Sequence, residues 1–442
     1  MPCRVAAGRF IAEDGYRFLI PEGAAFGGSA LWWIRIVVSV APRGGDAEAL
    51  GPVLAWVLER SHQVSALEVA GLIDEAAGRL GIGSTRLFLA DLQQQRLTPL
   101  PQPGTPVANA WSRPEGVDID GTLAGLAYRS ERVQAARGEG FAWFPMIDGV
   151  ERIGVMRAFC PRPVEDVMEV GLALATLATL LVISKSSHND LIIARERTTP
   201  MSVQAELLWA FLPPRTIGTR HATSAAVLEP AYDIGGDAFD HTFTDGVLHL
   251  TLLDAMGHDL ASGGASAAGI AACRSTRRAG GTLPDIATAI DRTLKQWIPD
   301  RLMTAVIAEL DTHRGEFTWV NCGHPPPLLI RDGHVLPYAL ERESQLPLGL
   351  GFHTQKPPVQ HLARLQPGDR VLIYSDGVTE ARSPTGDLYG EDRLADTVIR
   401  ALASGHNPPE ALRRLVHGLL THHEHRLRDD ATILLTQWHP AH

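Results

Sequence analysis

The sequence predicts an α+β protein in two parts, a smaller N-terminal module and a larger C-terminal one, joined by helices. Three observations lead there. A chain of 442 residues exceeds what one ordinary core fills, so more than one domain is expected. Segments with apolar residues at helical spacing alternate with short β-rich runs. In the last half, aspartates stand at the ends of three such runs: Asp254 after 247–253, Asp376 after 371–374, and Asp429 before 432–435.

Residues 1–60 are punctuated by Gly and Pro and show weak periodicity, so they are left as an extension of unclear structure. From 61 to 183 the pattern sharpens. A helix is expected over 64–80, ending at Gly81, followed by strands at 84–89 and 96–100 and a short helix at 123–129. Runs 141–147 and 151–159 make a hairpin with Asp148-Gly149 in the turn. This order suggests a small α+β sensor module.

Residues 184–214 read as a helical linker. The helical run 164–183 before it is apolar on most of its surface, and a second helix at 204–212 stops at Pro213-Pro214. Such helices bury their faces against their own domains or against a partner chain, which leaves a homodimer possible. Residues 215–442 form the second domain. Its expected elements are a hairpin across Asp245-Gly246, helices at 260–279 and 283–297, strands at 303–310, 316–321 and 327–330, helices at 391–403 and 409–422, and the closing strand.

The formal net charge of −10 argues against nucleic acid or an anionic membrane as partner. Cys3, Cys160, Cys273 and Cys322 lack metal-site or disulfide spacing and suit reduced thiols. The apolar stretch 24–41 is interrupted by Arg35 and glycines, and falls short of the ~20 residues of a membrane span. A cytoplasmic protein is expected.

Carboxylates at strand ends are held by a rigid scaffold. Several converging ones make an all-oxygen site for hard divalent cations, the minimum equipment for metal-assisted hydrolysis of a phosphate ester. A cysteine-based phosphatase loop is the rival chemistry. Cys322 fails it because Leu328 stands where the arginine belongs, and Cys160 and Cys273 fail at Asp166 and Ala279. Cys3 and Arg9 match the spacing by chance, with Pro2 where the usual histidine would be.

The motifs run in a specific order. Leu212-Pro213-Pro214 comes first, then Gly235-Gly236-Asp237 with Asp240, then Asp254-Ala255-Met256-Gly257-His258. Asn321-Cys322-Gly323-His324-Pro325-Pro326-Pro327-Leu328 follows, then Ser375-Asp376-Gly377 and Asp429-Asp430-Ala431-Thr432. In this set, residues 204–438 resemble a PPM-type serine/threonine protein phosphatase of the bacterial SpoIIE-like, RsbU-like branch. Residues 61–183 resemble a GAF sensor domain by pattern.

The resemblance implies an αββα sandwich, two antiparallel sheets flanked by helices, with two Mn²⁺ or Mg²⁺ ions at one edge. It implies Asp237 and Asp254 as central ligands and the Ala255 carbonyl as a further oxygen. Asp376 and Asp429 would complete the second ion's set. Asp430, often asparagine in such phosphatases, is the less suited of its pair, and Asp240 is a candidate outer partner. The implied substrate is phosphoserine or phosphothreonine on a regulatory protein of the anti-sigma-factor antagonist type, with an unknown ligand for the sensor.

Asp259 departs from the glycine usual there and reads as a helix cap, or as a carboxylate near the metals. His258 orders its loop or serves as a general acid, and His324 is structural. His422, His423 and His425 read as a solvated helix end. A catalytically silent scaffold is the alternative function. A cyclic-dinucleotide synthase is a weaker one, since the Gly-Gly-Asp echo lacks its glutamate and leaves Asp254, Asp376 and Asp429 unexplained.

Overall fold

The computed structural model describes residues 8–13, 16–21, 46–102, 104–105, 116–136, 138, 140–343, 345–422, 427 and 429–439. The stretch 24–41, Cys3, His423 and His425 lie outside them.

An antiparallel hairpin of β1 (Gly8–Glu13) and β2 (Tyr16–Pro21) opens the chain. Helices α1 (Asp46–Ser61) and α2 (Ala66–Arg79) follow. The start of α2 is set by Ser65, whose N–H donates to the Glu68 carboxylate at 2.8 Å. The next strands are β3 (Thr85–Ala90), β4 (Arg96–Pro99) and β5 (Val117–Asp118), then α3 (Leu123–Ser130), β6 (Gln134–Ala135), β7 (Phe141–Asp148) and β8 (Glu151–Phe159). They form one antiparallel sheet in the order β5-β4-β3-β8-β7-β6. The β7–β8 turn is one residue off the sequence reading. Asp148 pairs with Glu151, so Gly149 and Val150 make the turn.

Helix α4 (Val164–Ser186) is long and apolar enough to cross a membrane by length and composition. Here it seals the N-terminal core. Val167, Val170, Leu174, Ala178 and Leu181 are buried with Phe144 and Met156. Val53 and Val57 of α1 join the same core, so part of the stretch left unassigned in the sequence belongs to it. Leu172 and Leu180 stay exposed on the other face of α4.

The link to the second half is α5 (Asp190–Glu196) and α6 (Val203–Trp209). Ile192 is buried in the N-terminal core, while Ala205 and Leu208 are buried in the C-terminal one. Then come β9 (Thr216–Gly218), β10 (Ala222–Glu229), β11 (Asp237–Thr244), β12 (Val247–Ala255), α7 (Leu260–Arg278), α8 (Leu283–Trp297), β13 (Met303–Asp311) and β14 (Glu316–Cys322). The rest is β15 (Leu328–Arg331), β16 (His334–Val335), β17 (His361–Arg364), β18 (Arg370–Tyr374), α9 (Asp376–Thr379), α10 (Glu391–Ala403), α11 (Pro408–His422) and β19 (Ala431–Trp438).

These strands make two antiparallel sheets, β11-β12-β13-β14-β17 and β16-β15-β18-β19-β10-β9. Helices α7 and α8 cover the first; α10 and α11 cover the second. Side-chain alternation along β18 makes the layering visible. Val371 and Ile373 enter the core between the sheets, whereas Leu372 and Tyr374 face the helices α10 and α11. A strand buried on both faces must be apolar throughout, which is why this run showed no polar alternation. The result is the α+β sandwich of two antiparallel sheets flanked by helices.

Candidate active site

Register brings the aspartates together. Asp237, the first residue of β11, lies directly opposite Asp254 of β12, and Asp254 lies opposite Thr304 of β13. Directly paired residues share a face, and this one is turned toward the second sheet: four residues on from Asp237, and so on the same face, His241 Nδ1 is 3.0 Å from Ser224 Oγ of β10. From that second sheet, Asp376 opens α9 after β18 and Asp429 stands just before β19.

The backbone around them is closely fitted. The Asp430 carboxylate accepts N–H groups from Gly235 at 2.8 Å, Gly236 at 2.6 Å and Asp237 at 3.0 Å. Asp430 therefore orders the turn into β11. A Cβ on Gly236 would fall 2.1 Å from the Ala255 carbonyl oxygen, and one on Gly377 would fall 1.9 Å from that of Asp430. Only glycine permits either approach. Ser375 ties the two second-sheet aspartates together, exchanging hydrogen bonds with Thr432 through its N–H and its Oγ at 2.9 Å each.

His324 spans the two sheets. Its Nδ1 is 2.7 Å from Thr304 Oγ1 and its Nε2 is 3.0 Å from the Tyr374 carbonyl. A carbonyl only accepts, so Nε2 carries the proton; burial pushes this histidine down to about 4, leaving it neutral. Its expected structural role thus takes the form of a strut between Asp254's neighbour and the strand that delivers Asp376.

The electrostatics are those of carboxylates held against their mutual repulsion. Burial, then Asp254 and Asp430, raises Asp237 well above the usual range. Burial, with Asp376 and Asp429, pushes Asp254 up to about 7. Asp376 is raised by burial, Asp429 and Glu380. Asp237 Oδ2 is buried with no hydrogen-bond partner among the described residues, which is costly for a carboxylate unless a cation takes its place. Among the described residues, no three such side chains already meet at coordinating distance. The carboxylates act on one another through space, and an all-oxygen set of this kind fits a hard divalent ion.

One expectation needs adjustment. Asp240 is not an outer partner of the cluster. Three residues past Asp237 on a strand, it points to the opposite face, where Arg274 and Arg277 of α7 hold it at 2.6–3.0 Å. His258 is exposed. The sequence reading missed the parts played by Asp430 and Thr304. Thr304 has no local signal, since only strand register places it beside Asp254.

Residues 244–439 match the family model described as stage II sporulation protein E (SpoIIE). Phosphoserine phosphatase RsbU of Bacillus subtilis is 23% identical over 281 residues, covering 62% of this chain and 77% of RsbU. Protein IcfG of Synechocystis sp. is 26% identical over 95 residues, which are 22% of this chain and 14% of IcfG. A crystal structure of the RsbU and RsbW domains of Rv1364c from Mycobacterium tuberculosis shares 27% identity at a TM-score of 0.43, covering 50% of this chain and 61% of that one. This chain thus spans less than two thirds of IcfG and of the M. tuberculosis chain. Residues 244–439 are thus a SpoIIE-type domain, and the chain carries a PPM-type serine/threonine phosphatase domain.

Proposed function

We propose that this protein removes phosphate from phosphoserine or phosphothreonine on a cytoplasmic regulatory protein, with two cations at the aspartate cluster and the N-terminal domain as regulator. The observation that carries the reading is the mutual electrostatic strain of these carboxylates, Asp254 acting on Asp237 and Asp376 and Asp429 acting on Asp254, beside a buried, unpartnered Asp237 oxygen.

In this reading Asp237 and Asp254 hold the central position, the Ala255 carbonyl adds an oxygen, and Asp376 and Asp429 serve the second ion. Mn²⁺ or Mg²⁺ ions held by these residues would supply an acidified water and offset charge on the phosphoryl oxygens. The chain supplies the alignment. Asp430 fixes the backbone that presents Asp237, and His324 keeps the two sheets in step. No side-chain nucleophile is required: Cys322 is buried, and burial pushes its thiol up to about 12.

The RsbU-like motif set supports a phosphorylated anti-sigma-factor antagonist as substrate. Regulation is supported by a polar contact between the two halves. Arg152 of β8 donates to Glu410 of α11 at 3.0 Å, with both side chains almost wholly buried. Arg413 donates to Asp120 at 2.8 Å, and Gln93 to Glu229 at 3.0 Å. Glu229 pairs with Ala431, the residue that follows Asp429 and Asp430. A change in the N-terminal domain therefore has a short path to the metal-facing loops.

The test is dephosphorylation of a phosphorylated antagonist and of a phosphopeptide with Mn²⁺, Mg²⁺ or EDTA. Turnover is expected with metal and not with EDTA. Tight binding of the phosphoprotein without turnover in any metal would favour the silent scaffold instead.

A further inference from the structure

Asp259 caps α7, as its position before Leu260 suggested: its Oδ1 accepts the Ser262 N–H at 2.9 Å. The other carboxylate oxygen makes a contact that a cap does not need. Arg301 Nη2 donates to Asp259 Oδ2 at 2.5 Å, while Nη1 of the same guanidinium donates to the Met256 carbonyl at 3.2 Å. Ser262 Oγ lies 3.0 Å from that carbonyl. Met256 N–H donates to the Leu302 carbonyl at 2.9 Å. The segment immediately after Ala255 is thereby fastened along its length to Arg301 and Leu302.

Its other restraints are the Ser262 bonds and the close approach of Gly235 and Gly236, where an added Cβ would fall 2.3 Å from His258 Cα and 2.8 Å from the Gly257 carbonyl oxygen. Met256, Gly257, His258 and Asp259 are all exposed, so apolar burial does not hold the segment, and Gly257 sits at φ +97°. Arg301, by contrast, has a fixed base. Leu348 bridges Met303 through reciprocal hydrogen bonds of 2.8 and 3.0 Å, and the Gly349 backbone lies against the Arg301 carbonyl. The loop carrying Leu348 is itself anchored. Buried Asp291 of α8 accepts N–H groups from Gly349 at 2.7 Å, Gly351 at 2.8 Å and His353 at 2.9 Å.

We propose that Arg301 is a positioning residue for the metal centre: through Asp259 and the Met256 carbonyl it holds the 255–259 loop so that the Ala255 carbonyl keeps its place beside Asp237 and Asp254. The proposal rests on the metal reading of the aspartate cluster. A guanidinium suits the task because its planar fork reaches a carboxylate and a carbonyl at once.

The test is Mn²⁺ binding by calorimetry on the full chain, with the urea midpoint of each metal-free protein measured beside it. Arg301→Ala and Asp259→Gly should each weaken Mn²⁺ binding about tenfold, the low end for residues that orient metal ligands. The double variant should be no weaker than either single one, since both break the same link. Arg301→Lys should recover part of the affinity, and the metal-free urea midpoints should stay close to wild type. An Arg301→Ala protein that binds Mn²⁺ like wild type overturns the proposal. So does a loss of affinity that merely follows a fall in urea midpoint. If Arg301→Ala does not fold, Asp259→Gly carries the same test at an exposed position. Absence of Mn²⁺ binding by the wild type would overturn the metal reading itself, whereas binding that vanishes in Asp254→Asn but not in Arg301→Ala overturns only the role of Arg301.

Discussion

Asp237 and Asp254 face each other as a direct cross-strand pair, the last place where a β-sheet tolerates two like charges without a reason. The repulsion is a stability cost held in place by the rest of the fold, and it makes the pair testable without an activity assay.

In EDTA at pH 8, Asp254→Asn should stabilise the protein by about 1–2 kcal/mol, part of what a shift of this size is worth at about 1.4 kcal/mol per pKa unit. The sign follows from the direction of the shift. Asp254 is held near 7 in the fold against an ordinary 3.8, so the folded state binds the extra proton and stability falls as pH rises through that window. The gain should vanish near pH 4. With Mn²⁺ present, the same variant should lose more than about a hundredfold in turnover, beyond what outer partners of a metal usually cost. A variant both active and no more stable would contradict the pairing of these roles.

Asp430 should behave as a backbone clamp. Asp430→Ala leaves three buried N–H groups unpaired and should cost about 3 kcal/mol or more in urea unfolding, with loss of Mn²⁺ affinity as Asp237 shifts. Asp430→Asn keeps an acceptor oxygen and should cost about 1 kcal/mol. Equal effects from the two substitutions would argue that charge, and not the clamp, is what matters.

Glu229 reports on the contact between the two halves. Burial pushes it up to about 7 from 4.5, although Gln93 and the Ala231 N–H donate to it. A raised carboxyl costs stability as pH climbs from about 4.5 toward 7 and beyond. Glu229→Gln should therefore gain about 1–2 kcal/mol at pH 8 and nothing near pH 4, as seen in urea midpoints across pH. A gain that does not depend on pH would place its origin elsewhere.

Arg152 tests whether the halves unfold together. Arg152→Met leaves Glu410 with Arg413 and Arg414, so the loss should sit near the lower bound for a broken buried pair, about 3 kcal/mol. Wild type should unfold in one transition and the variant in two. Two transitions in both proteins would mean that this contact does not couple them.

Periodicity and turn chemistry were legible along much of the chain. The helices at 64–80, 260–279 and 283–297 appear within a residue or two of their expected limits, because apolar spacing and caps act locally. Asp245-Gly246 forms the expected two-residue turn, and Asp332-Gly333 forms another, all four residues at positive φ. The short edge strand β17 and the Ala-rich β10 escaped notice, since neither has a strong two-residue pattern and both owe their form to neighbouring strands.

The sequence by itself determined the candidates Asp237, Asp254, Asp376 and Asp429, because a motif set in a fixed order survives in one dimension. Only the tertiary structure decided what each does. Strand parity turned Asp240 away from Asp237 and onto two arginines, although both stand in one motif. Register set Thr304 against Asp254, and sheet packing let His324 reach from one to the strand behind Asp376. Arg301 meets Asp259 across 42 residues of chain. A hydrogen bond is decided within about 3 Å, and that distance between remote residues exists only once both sheets and the helices around them have closed.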